Sequence, residues 1–277
     1  MSTLSEDTKT SLSRKIARAE VMHLRHRSLA LQTLYPNQGY STKDVAGSIT
    51  LLSPARHGSK LNHSYGFGMF GPVTKGDLHA IEDACLQNSV HPEIYMCESA
   101  DSSAFDLLSE NYTITGHLCE YLMSLADFEH LNTANAINIS ILGPSDDGTF
   151  IQASVEGFRS NGRSLELLKL LSENAAARPD TLLFSASMHG ELLGVAAMAV
   201  MDVEDSKVAL LYTDSCLPHA RGRGIHKALL LQRLRVAKDR ACDLAIVSAR
   251  EGSISAHNIE KVGFRQAYAC TIYTKNR

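Results

Sequence analysis

The six cysteines (Cys85, Cys97, Cys119, Cys216, Cys242, Cys270) stand singly, with no CxxC pair and no His-rich ligand spacing. Their scatter argues against structural zinc, so no metal is expected, and against a disulfide scaffold; a reducing compartment suits it. The chain also lacks an excess of either charge, with 27 Lys+Arg against 30 Asp+Glu and a formal net charge of -3. Nothing sequence-wide attracts it to nucleic acid phosphates or to an anionic membrane surface, so neither is expected as a partner. Long apolar runs are missing as well: stretches such as Leu192 to Met201 stop well short of the roughly 20 residues of a membrane-spanning helix. The opening MSTLSEDTKTSLSRK is polar where a secretory signal needs an apolar run, and a cytoplasmic protein is the expectation.

What remains is an ordinary globular composition, 44% hydrophobic and 21% charged, over 277 residues. That length is about twice the usual domain and predicts two. Residues 10 to 34 hold no Gly or Pro, and Leu12, Ile16, Ala19, Met22 and Leu29 predict an amphipathic helix with His26 filling the missing place. Strands are expected at Val45 to Ser53 and Leu61 to Phe70, then a helix from Asp77 to Gln87 with Thr74 as N-cap. Glu93 to Glu98, Ser103 to Asn111 and Thr113 to Ser124 read as strand, helix, strand. The aperiodic stretch from Ala126 to Asn138 places a boundary between domains 1–135 and 136–277. Beyond it a helix is expected at Ser164 to Ala176, and strands at Thr181 to Ser187, Leu192 to Met201 and Ala209 to Cys216. Helix Ile225 to Arg240, strand Leu244 to Ser248, helix Ser255 to Lys261 and strand Arg265 to Thr274 complete the order.

The segment from Leu217 to Ile225, LPHARGRGI, joins a strand to a helix N-terminus through a basic turn with two glycines. Free helix N-H groups, the positive dipole end and the close approach that Gly permits suit a pyrophosphate. A basic surface turn or an Arg-Gly segment contacting RNA would read the same way.

These residues resemble the GNAT superfamily of N-acetyltransferases, whose acyl-CoA signature is Arg or Gln, two variable residues, Gly, one variable residue, then Gly or Ala. Arg221, Gly224 and His226 occupy the three key places, with His226 departing from the small residue expected. Pro218 before the loop and Val262-Gly263-Phe264 before the last strand extend the likeness. The resemblance implies an α/β (α+β) fold of two GNAT-like domains, each a mixed, mostly antiparallel sheet flanked by helices. It implies acetyl-CoA as acetyl donor, and a small-molecule or peptide amine as acceptor. The amides of Gly222, Arg223, Gly224, Ile225 and His226 would hold the pyrophosphate, with charge from Arg221 and Arg223. The splayed strand end at Cys216 and Leu217 would offer backbone to the pantetheine arm, and Asn258 would be a further contact or a helix-capping amide. The N-terminal half repeats the order of elements, but its turn reads FGPVTKGD, with Asp77 where an anion would bind. It looks like a degenerate GNAT domain that has lost acyl-CoA.

For catalysis, the position where the family often has a Tyr acid holds Ile259, leaving Tyr268 and Tyr273 on the last strand as substitutes or as packing. The resemblance also implies a carboxylate base on the strand before the loop, but Leu210 stands at the place where family members most often have it. Strict alternation along 209–216 puts Tyr212 and Asp214 on one face, which makes Asp214 the replacement base or a strand-end carboxylate bonded to backbone. Cys216 without an assigned base reads as a small apolar residue, so direct transfer is expected. The leading reading is an N-acetyltransferase and the runner-up a non-catalytic acyl-CoA-binding or regulatory protein, with an RNA-binding module on the long basic helix and RGRG a distant third; the oligomeric state is left open, and a monomer is compatible with the sequence.

Overall fold

The computed structural model describes residues 6–126, 128 and 137–276. The boundary expected at 135/136 lies outside them. The chain divides into two compact units: unit 1 comprises residues 1–120 and 267–277, and unit 2 residues 121–266.

Unit 1 opens with α1 (Glu6–Leu34), β1 (Ser41–Val45), β2 (Ser48–Leu52) and β3 (His63–Tyr65). The β1–β2 hairpin turns at Ala46 (φ 48°) and Gly47 (φ 82°), two left-handed residues that match the twist of the flanking strands. Ala-Gly lacks the usual Asn or Asp, and the sequence reading ran strand through this turn. Next come α2 (Lys75–Gln87), β4 (Glu93–Cys97), α3 (Ser102–Ser109) and β5 (Tyr112–Ser124). The sheet order is β1-β2-β3-β4-β11-β5, so the strand that follows β4 in space is the last in sequence, β11 (Arg265–Lys275). The pair β3–β4 is parallel, while β1–β2, β2–β3 and β4–β11 are antiparallel.

The buried face of α1 is Ile16, Ala17, Ala19, Leu24 and Leu31 together with Ser13, Glu20, His23 and Ser28. Leu29, placed on the apolar stripe by periodicity, is 54% exposed. The polar members of that face belong to a polar interior. Within it Tyr65 Oη donates to Glu120 Oε1 (3.2 Å) and lies 3.1 Å from Tyr268 Oη, and Thr50 and Ser64 hydroxyls meet at 2.7 Å. An apolar cluster including Phe67, Ile81, Ile94 and Leu108 forms another part of the core, and Tyr273 packs against it.

Unit 2 runs β6 (Asn138–Ile141), α4 (Asp147–Phe158), α5 (Leu165–Ala177), β7 (Thr181–Met188), β8 (Glu191–Val203), β9 (Ser206–Cys216), α6 (Ile225–Asp239), β10 (Leu244–Ala249) and α7 (Ile254–Val262). Its order is β10-β9-β8-β7-β6, with the tail of β5 beside β10. The pairs β6–β7, β7–β8 and β8–β9 are antiparallel, and β9–β10 is parallel. Helix α4 is not expected from the sequence, because its start in GPSDDG has the composition of a turn and Gly157 weakens the helical pattern, yet Gly157 is a buried member of the helix. An α/β fold with a mixed, mostly antiparallel sheet flanked by helices is thus what the chain adopts. Among the described residues no helix is long and apolar enough to cross a membrane, and no group of three or more His, Cys, Asp or Glu could hold a metal ion.

His63 generates a pH dependence. It is buried, stacked on Tyr95 at 4.6 Å, with Nδ1 2.8 Å from the Ser59 carbonyl, and burial pushes its pKa down to about 3. The unfolded imidazole takes up its proton near pH 6.5 and the folded one only near 3, so stability is full above 6.5 and declines as pH falls through that window. We expect His63→Gln to flatten this decline, by up to about 1.4 kcal/mol per pH unit, in urea titrations between pH 6.5 and 4; parallel curves for the two proteins would refute it.

Candidate active site

Strand β9 carries the site. Its register with β10 ends at Leu211↔Val247, so Tyr212 to Cys216 run on without that partner. On the other edge β9 continues against β8, but through a bulge: Ala197 faces Tyr212, and two residues on Val195 faces Ser215. Thr213 takes a left-handed conformation (φ 53°) to accommodate the extra residue, a costly state for a β-branched side chain.

The bulge overturns the expected alternation. Tyr212 packs with Val195, Ala197, Phe150 and Ala153, and its hydroxyl meets Thr181 Oγ1 at 2.8 Å. Ser215 joins that side, donating to the carbonyls of Ala153 (3.3 Å) and Ser154 (3.1 Å) in α4. Asp214 points to α6 instead. There Oδ1 accepts a hydrogen bond from Arg233, a fully buried side chain whose guanidinium also donates to the carbonyls of Leu229 (3.2 Å) and Ala197 (3.0 Å). Tyr212 and Asp214 therefore do not point together, because one inserted residue shifts the period-two pattern. Tyr273 lies in unit 1, opposite Ile94 on β4.

The loop after β9 begins with Leu217, whose N-H donates to Leu193 (2.9 Å), and a short turn over Pro218–Ala220. Gly222 (φ 75°) and Gly224 (φ 80°) are both left-handed, which favours glycine there. A Cβ on Gly222 would meet nothing within 4 Å. Arg221 is exposed but engaged: its Nη2 donates to the Gly157 carbonyl (2.8 Å) and to Ser160 Oγ (3.3 Å), tethering the loop to the end of α4. Arg223 is exposed, with Nη2 3.7 Å from Met188 Sδ. No side chain caps α6, whose N-cap is Gly224, and Ala228 makes the first intrahelical bond, to the Gly224 carbonyl. The first-turn amides precede that ladder, and the His226 N-H is directed to Cys216 Sγ.

His226 and Asn258 come together, Nδ1 and Nδ2 being 3.2 Å apart. His226 Nε2 lies 3.5 Å from Asp214 Oδ1, too far for a hydrogen bond, and is buried with no other partner. Burial pushes the imidazole's pKa down, against the pull of Asp214 and with a push from Arg233, so it is neutral at pH 7. Burial, helped by Asp214, pushes the Cys216 thiol up to about 11, which leaves it protonated and a poor nucleophile. Ile259 is fully buried.

Sequence reasoning missed Arg233, Gly157 and Gly194. Arg233 sits four residues from both Leu229 and Ala237, a spacing that marks the inward face. The two glycines have no local signature: a Cβ on Gly157 would fall 2.0 Å from Ser215 Oγ, and one on Gly194 2.6 Å from the Ser215 carbonyl.

Residues 151–264 match the acetyltransferase (GNAT) family model. This segment is a GNAT domain. It covers strands β7 to β10, helices α5, α6 and α7, and the turn between β9 and α6. Among solved structures, a GCN5-related N-acetyltransferase from Kribbella flavida superposes with TM-score 0.63 at 13% identity, over 90% of this chain and 95% of that one. Another GCN5-related N-acetyltransferase, from Sphaerobacter thermophilus, gives TM-score 0.56 at 15% identity, over 82% and 80%. A tandem GNAT protein from the clavulanic acid biosynthesis pathway gives 0.55 at 13%, over 71% and 67%. At these identities the likeness is one of fold. A search of curated protein sequences gives no match.

Two predictions follow from the packing. Asp214→Ala should destabilise the protein by about 3 kcal/mol by leaving the Arg233 charge buried and unpaired, and Asp214→Ala with Arg233→Met should recover part of that loss. Urea denaturation of the singles and the double tests the coupling; strictly additive losses would contradict it. Gly157→Ala should lower the melting temperature through overlap with Ser215, costing about 2 kcal/mol, and Ser215→Ala in the same chain should restore some of it.

Proposed function

We propose that the GNAT segment of unit 2 binds acetyl-CoA and transfers its acetyl group to a primary amine by direct attack, on a small molecule or a peptide. The observation that carries this reading is the conjunction at the end of β9: pairing with β10 stops at Leu211, and two left-handed glycines then lead into an uncapped helix. The strand edge suits the pantetheine amides, and the amides of Gly222 to Ile225 with the charge of Arg223 suit a pyrophosphate. Acetyl-CoA would supply an activated thioester. Thr213 and Asp214, which the β8 register passes over, place main-chain amides beside the splay where a thioester oxygen could be polarised. The protonated state of Cys216 favours direct transfer over an acyl-enzyme.

Asp214 takes a different role from the general base that alternation implied. Bound to Arg233, it positions the strand end against α6, and Asn258 with His226 ties α7 to the same helix. Residues 1–135 are read as the silent GNAT-like half and 136–277 as the acyl-CoA half. Supporting this, Asp77 already closes the N-terminus of α2: its carboxylate accepts from Thr74 N-H (2.8 Å) and hydroxyl (2.7 Å), while its own N-H donates to Thr74 Oγ1. A cytoplasmic location suits six cysteines that are all free.

A second reading, acyl-CoA binding without turnover, is favoured by buried Ile259 at the acid position and by the engagement of Asp214 with Arg233.

Calorimetry should give one acetyl-CoA per chain, and Gly222→Glu should weaken it by at least about tenfold, since it would put a negative charge and a strained left-handed residue in the turn proposed to hold the pyrophosphate. Two sites per chain, or unchanged affinity in the variant, would overturn the assignment. Amine-dependent release of free CoA thiol across a panel of amines separates the two readings; binding with no release above the amine-free rate selects the second.

A further inference from the structure

Six free cysteines are present, and two of them face each other. On the antiparallel pair β4–β11, Cys97 and Cys270 are direct register partners, and the register from there to Glu93↔Thr274 is unbroken. The Lys275 N-H donates to the Pro92 carbonyl at 3.1 Å, which makes the next rung a hydrogen-bonded one. Hydrogen-bonded and non-hydrogen-bonded rungs alternate along an antiparallel ladder, so counting back from Lys275 places Cys270 and Cys97 on a non-hydrogen-bonded rung. That is the narrow kind, with Cα atoms about 4.5 Å apart and side chains on one face of the sheet. The spacing falls within the range that a disulfide spans, roughly 4.4–6.8 Å.

We propose that Cys97 and Cys270 form a two-electron redox site in unit 1, oxidised by peroxide to a cross-strand disulfide that staples the last strand of the chain to β4. One thiol attacks hydrogen peroxide, giving a sulfenic acid and water. The second thiol then attacks the sulfenic sulfur and releases a second water. Two thiol protons and two electrons leave the protein, and one peroxide becomes two waters.

The surroundings set the rate. Cys97 is 2% exposed and Cys270 fully buried; Cys270 Sγ lies 3.4 Å from Tyr65 Oη, and Ser99 N-H donates to Cys97 Sγ at 3.4 Å. Burial pushes the Cys97 thiol up to about 11 and the Cys270 thiol well above its usual value. The native pair is therefore sheltered from oxidant, and reaction proceeds from a locally opened form in which β4 and β11 are exposed. The staple closes a long stretch of chain, the arrangement that restricts the unfolded state most.

The test uses the full chain, reduced and then exposed to hydrogen peroxide at increasing sub-denaturing urea, with alkylation, peptide mapping and amide exchange of β4 and β11 followed together. The expected product is a cross-linked peptide pair holding Cys97 and Cys270, two mass units below the sum of the reduced peptides, formed in step with amide opening. It should melt several degrees higher than the reduced protein and revert with dithiothreitol. Cys97→Ala and Cys270→Ala should each abolish the cross-link and the rise. Linkage of either residue to another cysteine would overturn the proposal. So would sulfinic acid at one with its partner still alkylable, or two alkylable thiols after the amides have exchanged.

Discussion

The guanidinium of Arg233 is a positive charge in a place where water cannot reach it, and the end of β9 is arranged around it. A buried charge of this kind is tolerated only when its donors are used. Here they go to the carbonyls of Leu229 and Ala197 and to the carboxylate of Asp214. Tyr212, before the bulge, faces the α4 side in regular register; the bulge at Thr213 then turns Asp214 to α6 and Ser215 to the α4 side. Strand, bulge and helix are thus fixed against one another, and the glycine turn of Gly222 and Gly224 begins from a held position.

The opening of that turn depends on what the helix after it lacks. Helices α2, α3, α5 and α7 each begin with a side chain that bonds a first-turn amide, whereas α6 begins with Gly224 and none. A helix start with unused amides and a positive dipole end attracts an anion; one closed by its own carboxylate, as Asp77 closes α2, does not. The contrast between the parallel pairs β3–β4 and β9–β10, each bridged by a helix, comes down to these few atoms at the helix entrance.

Unit 1 has spent its polar groups inward. Tyr65, Glu120 and Tyr268 satisfy one another, His63 is held neutral against Ser59, and α1 presents Glu20 and His23 to the same interior. Such a network specifies a packing only when its members are paired, since each unpaired group costs about 1–3 kcal/mol. It also explains why α1 follows its apolar periodicity imperfectly, with Leu29 outside and Glu20 inside.

Much of the architecture was legible because its signals are local. The Thr74 cap with Asp77, the Gly-rich loop opening α6, and the ends of β4, α7 and β11 depend on residues within a few positions of one another, and the resemblance of 217–226 to an acyl-CoA loop needed no partner strand. The start of α4 was masked by the turn-forming run before it, and the β1–β2 turn by an alanine doing the work of an asparagine. Other features were closed to sequence reading in principle. The bulge exists only against β8, so the facing of Tyr212 and Asp214 could not follow from β9 alone. Gly157 and Gly194 are needed only because Ser215 and Cys216 pass close by. Likewise, the completion of the unit 1 sheet by the final strand, and with it the meeting of Cys97 and Cys270, is a matter of register. Sequence determines conformation where neighbours along the chain choose among a few backbone wells; pairing between distant segments is chosen by the packing of the whole fold, and that the tertiary structure alone decided.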